Sequence, residues 1–195
     1  MQINLFLPRL TAVLSGIVFT LSLLLPLTGT AKDLPQYRQK EMEAGQSAIQ
    51  DPVRAQRIAR YIQDRYNLTP QNGLRIVNEA ARSGARHGLE LELILAVIAV
   101  ESNFRERAVS PRGARGLMQV KADVHRNKIR EIGGAHALFE TDSNIHTGSR
   151  ILADYVDSTD GNMRRALLYY CGSIKNPKSS YPDKVLRIYQ DLKHL

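Results

Sequence analysis

The stretch Leu93-Ile94-Leu95-Ala96-Val97-Ile98-Ala99-Val100-Glu101-Ser102 places a carboxylate directly after eight consecutive apolar residues. Gly88 is a typical helix stop, and Glu90 and Glu92 suit the positive start of the helix that follows. We therefore predict a buried helix whose last turn contains Glu101. Burial and the negative end of a helix both disfavour a charged carboxylate, so the pKa of Glu101 should be raised and this residue is a candidate general acid.

Most of the chain after residue 51 has helical signals, and no convincing strand alternation interrupts them. Residues 103–121 contain Pro111, Gly113 and Gly116, which predict a structured loop before a short helix. We predict one all-α domain over residues 52–195. Two further helices are expected in the first half of the domain, one from Pro52 to about Tyr66 and one from Pro70, capped by Thr69, to Gly88. Three more are expected in the second half: from a cap at Asp142 or Ser143 to about Val156, from a cap at Asp160 through Tyr169, and over Val185 to Leu192.

The first 31 residues have the pattern of a cleaved secretory signal. Arg9 precedes an apolar stretch from Leu10 to Leu27, which Pro26 interrupts, and small residues lead up to a cut after Ala31. A retained membrane anchor is the alternative. Residues 32–51 are interpreted as a polar lead-in to the domain. We expect an exported protein that acts in the periplasm or cell envelope.

The chain is strongly basic, with a formal net charge of +8 and an isoelectric point near 9.8. A basic surface attracts polyanions. For an exported protein the available polyanions are cell-wall peptide carboxylates and lipid phosphates, so we do not expect nucleic acid as a partner. A charged surface that only keeps the protein soluble is the alternative interpretation.

The sequence has no signature of a cofactor site. Its single cysteine, Cys171, excludes an intramolecular disulfide, and we expect this residue to be inert and apolar. The five histidines show no metal-ligand spacing with Cys171, and glycine-rich phosphate loops are missing. We therefore expect neither a metal nor a cofactor.

Six short motifs occur in a fixed order from Glu101 onward. They are Glu101-Ser102-Asn103-Phe104, Ser110-Pro111-Arg112-Gly113-Ala114, Gly116-Leu117-Met118-Gln119, Asn144-Ile145-His146-Thr147-Gly148, Ala166-Leu167-Leu168-Tyr169-Tyr170, and Tyr181 followed by Val185-Leu186. This ordered set resembles the catalytic core of the soluble lytic transglycosylase family, over roughly residues 72–190. The resemblance implies a lysozyme-like helical fold with a cleft for the glycan strands of peptidoglycan.

The resemblance also implies that Glu101 is the family's single catalytic acid and base. It would protonate the oxygen between N-acetylmuramic acid and N-acetylglucosamine, then take a proton from the muramoyl 6-hydroxyl as a 1,6-anhydro ring closes. Ordinary glycosidases need a second carboxylate, whereas here the substrate supplies its own nucleophile. The carboxylates nearest in sequence have no motif partner; they are Glu106, Asp123, Glu140 and Asp142, the last being better explained as a helix cap.

The same resemblance implies supporting roles for several polar residues. Ser110 would contact the acetamido group near the reaction centre. Asn144 and Tyr170 would position Glu101 and the substrate. Tyr181 would supply a further hydroxyl to the cleft.

The segment from Gly116 to Gln119 would form part of the cleft wall. Gly116 would let the backbone approach the sugar, and Met118 and Gln119 would line the cleft together with Leu117. For Leu117 and Met118, burial in the hydrophobic core is an equally open alternative to lining the cleft. Packing is the preferred interpretation of Phe104 and Tyr169. Because the chain contains no tryptophan, its tyrosines are left as sugar-stacking surfaces.

The predicted function is that of a monomeric peptidoglycan lytic transglycosylase. Two alternatives stay open: a muramidase of the same fold, which would use water, and a peptidoglycan-binding module without turnover. The family usually has asparagine where this chain has Cys171, and this departure favours the binding module. Recruitment by an envelope secretion or conjugation complex and free diffusion are both open, as are endo and exo cleavage.

Overall fold

Seven α-helices form most of residues 51–195, the part of the chain that the computed structural model describes. The predicted signal at residues 1–31 and residues 32–50 of the predicted lead-in lie outside the described residues. The helices are α1 (Pro52–Tyr66), α2 (Pro70–His87), α3 (Leu91–Ser102), α4 (Arg126–Glu131), α5 (Thr141–Ser158), α6 (Met163–Tyr170) and α7 (Tyr181–Lys193). Two strands, β1 (Ala114–Arg115) and β2 (Val120–Lys121), and a 3-10 helix (Ala135–Phe139) lie between α3 and α5.

Helix α3 is the centre of the core. Every residue from Leu91 to Ala99 is buried, because α2 and α7 pack against this helix. A helix that is apolar on all sides has to be enclosed by other elements, and this enclosure confirms the predicted buried helix. None of the helices within residues 51–195 has the length and apolarity needed to cross a membrane.

The predicted helix boundaries are correct in the first half of the domain and partly wrong in the second. Thr69 caps α2 as expected, and Gly88 ends it in the left-handed conformation that glycine adopts at low cost. The predicted caps of α5 and α6 are wrong. Helix α5 already begins at Thr141, so Asp142 lies in its first turn, and α6 is capped by Asn162, whose side chain accepts a hydrogen bond from the Arg165 N–H at 3.0 Å.

A small antiparallel hairpin between α3 and α4 was not predicted. In it Ala114 lies opposite Lys121, and Arg115 lies opposite Val120. Strands of two residues are too short to produce the alternation by which strands are detected in a sequence. The domain is nevertheless mostly helical as predicted, and the hairpin turn brings residues 116–119 close to the end of α3.

Candidate active site

Glu101 lies in the last turn of α3, where the helix leaves the core. The helix ends because Asn103 adopts a left-handed backbone conformation, and the following Phe104 is buried against the ring of Tyr66. Burial raises the pKa of Glu101 from 4.5 to about 7, although a hydrogen bond from Tyr181 lowers it in part. The predicted rise of this pKa is confirmed, so both protonation states of Glu101 are populated near neutral pH.

Tyr181, the first residue of α7, holds the carboxyl group of Glu101. Its hydroxyl donates a hydrogen bond to Oε1 of Glu101 at 2.7 Å. Burial and the nearby carboxyl raise the pKa of Tyr181 well above its ordinary value, so this hydroxyl stays protonated and remains a donor. The predicted cleft hydroxyl is therefore the direct partner of Glu101.

Two adjoining hollows meet at Glu101 and form one cleft. Both are lined by Glu101, Ser110 and Gln119. We call the hollow of about 510 Å³ the aromatic half; its wall includes Ile151, Tyr155, Tyr169, Tyr170 and Tyr181. We call the hollow of about 580 Å³ the basic half; its wall includes Arg105, Arg107, Ala108, Val109 and Pro111. The cleft therefore extends to both sides of the Glu101 carboxyl group.

Two stacked tyrosines form part of the wall of the aromatic half. The rings of Tyr155 and Tyr169 lie 5.6 Å apart at an interplanar angle of 17°. The interpretation of Tyr169 as a packing residue missed its place in the cleft, and Tyr155 was not predicted to line it. The missing tryptophan was the available signal, because it leaves tyrosines as the aromatic surfaces on which a sugar can stack.

Tyr170 braces the hairpin turn and makes no hydrogen bond with Glu101. Its hydroxyl donates to the carbonyl oxygen of Met118 at 2.8 Å. Tyr170 nevertheless lies close enough to Glu101 for the carboxyl to add to the rise of its pKa, which burial dominates. Tyr170 was predicted to position Glu101 and the substrate, but the residue that holds the acid by a hydrogen bond is Tyr181.

Asn144 is a buried clamp beneath the turn and lines neither half of the cleft. Its Oδ1 accepts the Met118 N–H at 2.8 Å, and its Nδ2 donates to the carbonyl oxygens of Arg115 at 2.9 Å and Leu138 at 2.7 Å. Asn144 was predicted to position Glu101 and the substrate, but its amide is fully engaged by backbone groups and the residue is 1% exposed. It acts on the site by fixing the turn.

The close approach of Asn144 also explains the glycine at position 116. Gly116 has a positive φ of 75°, and a Cβ atom there would lie 2.1 Å from Nδ2 of Asn144. Leu117 and Met118 are 1% and 0% exposed. Gly116 therefore does not line the cleft as predicted, and for Leu117 and Met118 the alternative of a place in the core is the correct one.

Gln119 and Ser110 reach the cleft as predicted, as Tyr170 and Tyr181 also do. The Nε2 atom of Gln119 donates to the carbonyl oxygens of Ala108 and Gly116 at 3.1 Å and 3.0 Å, which fixes the side chain at the junction of the two halves. Ser110 Oγ accepts the Ala114 N–H at 3.0 Å. Its hydroxyl proton remains available for a ligand.

Glu101 is the sole carboxylate in the cleft wall that residues 51–195 form. Glu106 is 2.6 Å from Arg75, Asp123 is 3.9 Å from Lys121, and Glu140 is exposed just before α5. Asp142 lines a separate groove with α2. Within this part of the chain, no group of three or more histidine, cysteine, aspartate or glutamate residues could hold a metal ion.

Cys171 belongs to the wall of the aromatic half, directly after α6. The thiol lies 3.6 Å from the Leu168 carbonyl oxygen, to which it donates a weak hydrogen bond. The residue is partly exposed and lines the cleft, whereas the expectation that its thiol is inert stays a prediction. The departure from the family pattern therefore alters the surface of the cleft itself.

Comparisons with known proteins find relatives over part of the chain. The chain is 32% identical over 104 residues to the membrane-bound lytic murein transglycosylase C of Serratia proteamaculans (strain 568), which covers 50% of this chain and 26% of that protein. The protein of the same name from Yersinia pestis (strain Pestoides F) is 33% identical over 91 residues, 44% of this chain and 25% of the relative. This chain thus spans about a quarter of the length of these relatives.

A solved structure shares the fold. The X-ray structure of an inactive mutant of the lytic transglycosylase Slt from Pseudomonas aeruginosa matches with a TM-score of 0.55 and 20% sequence identity, covering 60% of this chain and 24% of that chain. This match confirms the predicted fold class. The model of the transglycosylase SLT domain family matches residues 78–180, more than half of the chain, and the chain therefore belongs to the transglycosylase SLT domain family.

Proposed function

We propose that this protein is a peptidoglycan lytic transglycosylase that cleaves the MurNAc-β-1,4-GlcNAc bond and leaves a 1,6-anhydro-MurNAc end. One observation carries the proposal: the sole carboxylate of the described cleft wall, Glu101, has a pKa of about 7. The names of the relatives, lytic murein transglycosylases, support the same reaction. The solved neighbour is a Glu-to-Gln mutant that is inactive, which supports a glutamate as the essential group.

The proposed reaction uses Glu101 twice. The protonated carboxyl first donates its proton to the glycosidic oxygen as the bond to the muramoyl anomeric carbon breaks. The resulting carboxylate then accepts the proton of the muramoyl 6-hydroxyl, whose oxygen bonds to that anomeric carbon. Because the nucleophile belongs to the same sugar, the step is intramolecular and needs neither water nor a second carboxylate. Tyr181 keeps the carboxyl oriented through its hydrogen bond of 2.7 Å.

The remaining parts of the cleft receive roles that follow from their position. Ser110 and Gln119 lie beside Glu101 on both halves, so we assign them to the acetamido group and the sugar next to the scissile bond. The stacked Tyr155 and Tyr169 offer an apolar face to a sugar further along the aromatic half.

Digestion of purified sacculi tests the proposed reaction. The released muropeptides should carry anhydro ends, and Glu101→Gln should reduce their release by at least about a thousandfold, as expected when a general acid that also serves as the base is lost. Products heavier by one water would identify a muramidase. Binding of sacculi without release of any fragment would identify a binding module. Anhydro products that persist with Glu101→Gln would disprove the role of this residue.

We further propose that the protein acts in the cell envelope as a monomer. The murein substrate in the relatives' names and their description as membrane-bound support this location. The secretory signal at residues 1–31, with cleavage after Ala31, and recruitment by a secretion or conjugation complex stay predictions. Sedimentation of the purified protein and N-terminal sequencing of the protein recovered from cells test the monomer and the cleavage.

A further inference from the structure

The basic half of the cleft contains two arginines whose charge no described residue neutralises. Arg105 and Arg107 are exposed and line this hollow together with Glu101. Among the ion pairs within residues 51–195, none includes either arginine. Glu106 lies between them in sequence, but its carboxylate is 2.6 Å from Arg75. The one acid of this segment is therefore engaged elsewhere.

Arg105 is also held in place before any ligand arrives. Its Nε–H donates to the carbonyl oxygen of Ser102 at 3.0 Å, at the end of α3 and one residue from Glu101. A side chain that is already ordered loses less conformational entropy when it binds a ligand. The Arg105 guanidinium is thus ordered next to the proposed acid, and Arg107 adds a second positive charge to the same hollow.

The sugars of a bare glycan do not require such a surface. Their hydroxyl and acetamido groups are neutral, whereas the peptide stems attached to the muramoyl residues carry free carboxylates. Guanidinium groups pair with carboxylates in charge-assisted, often bidentate hydrogen bonds. The neutral acetamido group has polar partners of its own at the junction, in Ser110 and Gln119.

We infer that Arg105 and Arg107 bind peptide-stem carboxylates, so that the protein selects glycan strands that still carry their peptides. This inference rests on the proposed function, because it assumes that the glycan occupies this cleft. The chemical class selected is an acidic, peptide-substituted glycan. Strands from which the peptides have been removed should bind and react less well.

Binding of the Glu101→Gln protein to two glycan preparations tests the inference without any turnover. One preparation carries its peptides, the other has been stripped by an amidase, and both are freed of phosphate polymers. Peptide-bearing strands should bind about tenfold more tightly, as expected for charge-assisted hydrogen bonds that are partly offset by desolvation. Adding Arg105→Gln and Arg107→Gln should remove this preference and leave binding of stripped strands within about twofold.

A matched pair of substitutions controls for overall charge. Arg60→Gln with Arg187→Gln removes the same net charge from exposed positions outside the cleft and should keep the preference. Arg107→Gln alone should reduce it in part, and it serves as the second variant if loss of the Arg105 contact to Ser102 destabilises the fold. Equal binding of both preparations, or equal losses on both, would overturn the inference.

Turnover of the same preparations separates this inference from the proposed function. The protein with Glu101 intact should release anhydro products faster from peptide-bearing strands, and the Arg105→Gln, Arg107→Gln protein should lose this advantage. If no anhydro product forms from either preparation while the binding preference persists, the proposed reaction fails and the carboxylate site stands. If anhydro products form at equal rates from both, the reaction stands and the carboxylate site fails.

Discussion

At the scale of single residues, two opposing effects set the acidity of Glu101. Burial raises the pKa of the carboxyl group because a charge loses its hydration in an apolar environment, whereas the Tyr181 hydroxyl stabilises the charged form through a hydrogen bond. Burial is the larger effect, and the resulting pKa is about 7. A group that must give and then take a proton in one cycle works best when its pKa lies near the working pH.

Replacing Tyr181 with phenylalanine tests this balance. Without the hydrogen bond the pKa of Glu101 should rise further, and the basic limb of the pH–rate profile should move to higher pH. At low pH, where Glu101 is protonated in both proteins, the rate should fall only as far as the carboxyl loses its orientation, because the carboxylate that accepts the 6-hydroxyl proton is produced by the first step. Tyr189→Phe removes a hydroxyl from the same helix outside the cleft wall and should leave the profile unchanged. A basic limb that stays in place in Tyr181→Phe, or moves down, would contradict this account.

At the scale of elements, the hairpin turn owes its position to helices that lie far along the chain. Asn144 from α5 binds the turn from below, and Tyr170 from α6 holds the Met118 carbonyl. Gly148 lets Met118 lie against α5, since a Cβ atom there would be 2.6 Å from the sulfur. These contacts fix Gln119 at the junction of the two halves of the cleft.

Gly116→Ala should therefore be much more destabilising than Gly113→Ala. Both glycines have a positive φ, 75° and 78°, so both variants incur backbone strain of about 1 kcal/mol. Only at position 116 does the new Cβ meet neighbours, Nδ2 of Asn144 at 2.1 Å and the Leu138 carbonyl oxygen at 2.2 Å. Chemical denaturation should show an additional loss of about 2 kcal/mol or more at that position. Equal losses in the two variants would disprove the clamp.

The sequence allows the helices and the acid to be predicted, because both depend on neighbouring residues. Helix α3 and Glu101 follow from one apolar run, and Thr69 and Gly88 mark the ends of α2 through local capping. The partner of Glu101 depends on the docking of α7, which no local pattern specifies. Likewise, the sequence does not distinguish the arginines of the basic half from other basic surface residues. Glu106 is their neighbour in sequence, but it pairs with Arg75, which lies on a distant segment of the chain.

The two strands and the clamp could not be predicted for a related reason. Strands β1 and β2 have two residues each and carry no periodicity. Asn144 was identified as important, but its three backbone partners lie on the hairpin and the 3-10 helix. A polar side chain in a motif looks the same whether it faces a ligand or a buried backbone, and only the fold distinguishes the two.

At the scale of the whole molecule, a buried acid reduces stability. The pKa of Glu101 is about 7 in the folded state and near 4.5 when the group is exposed, so the unfolded chain releases this proton first as the pH rises. The free energy of unfolding should therefore decrease between those values. The full effect is on the order of 3 kcal/mol for a shift of this size.

Glu101→Gln should remove this pH dependence. Relative to the protein with Glu101, the variant should gain up to about 3 kcal/mol in its free energy of unfolding between roughly pH 4 and pH 8. Denaturant titrations of both proteins across this range measure the change. Subtracting the free energies of unfolding of the two proteins removes the contributions of other titrating groups. A difference that does not change with pH would show that burial does not raise the pKa of the Glu101 carboxyl.

The hydrogen bond between Tyr181 and Glu101 joins residues that lie 80 positions apart. The acid is supplied by α3, the turn that carries Gln119 depends on α5 and α6, and the residue that orients the acid arrives with α7. A chain that has folded only as far as α6 lacks the last of these parts. Under the proposed function, the acid would therefore be oriented for reaction only after α7 has docked against α3.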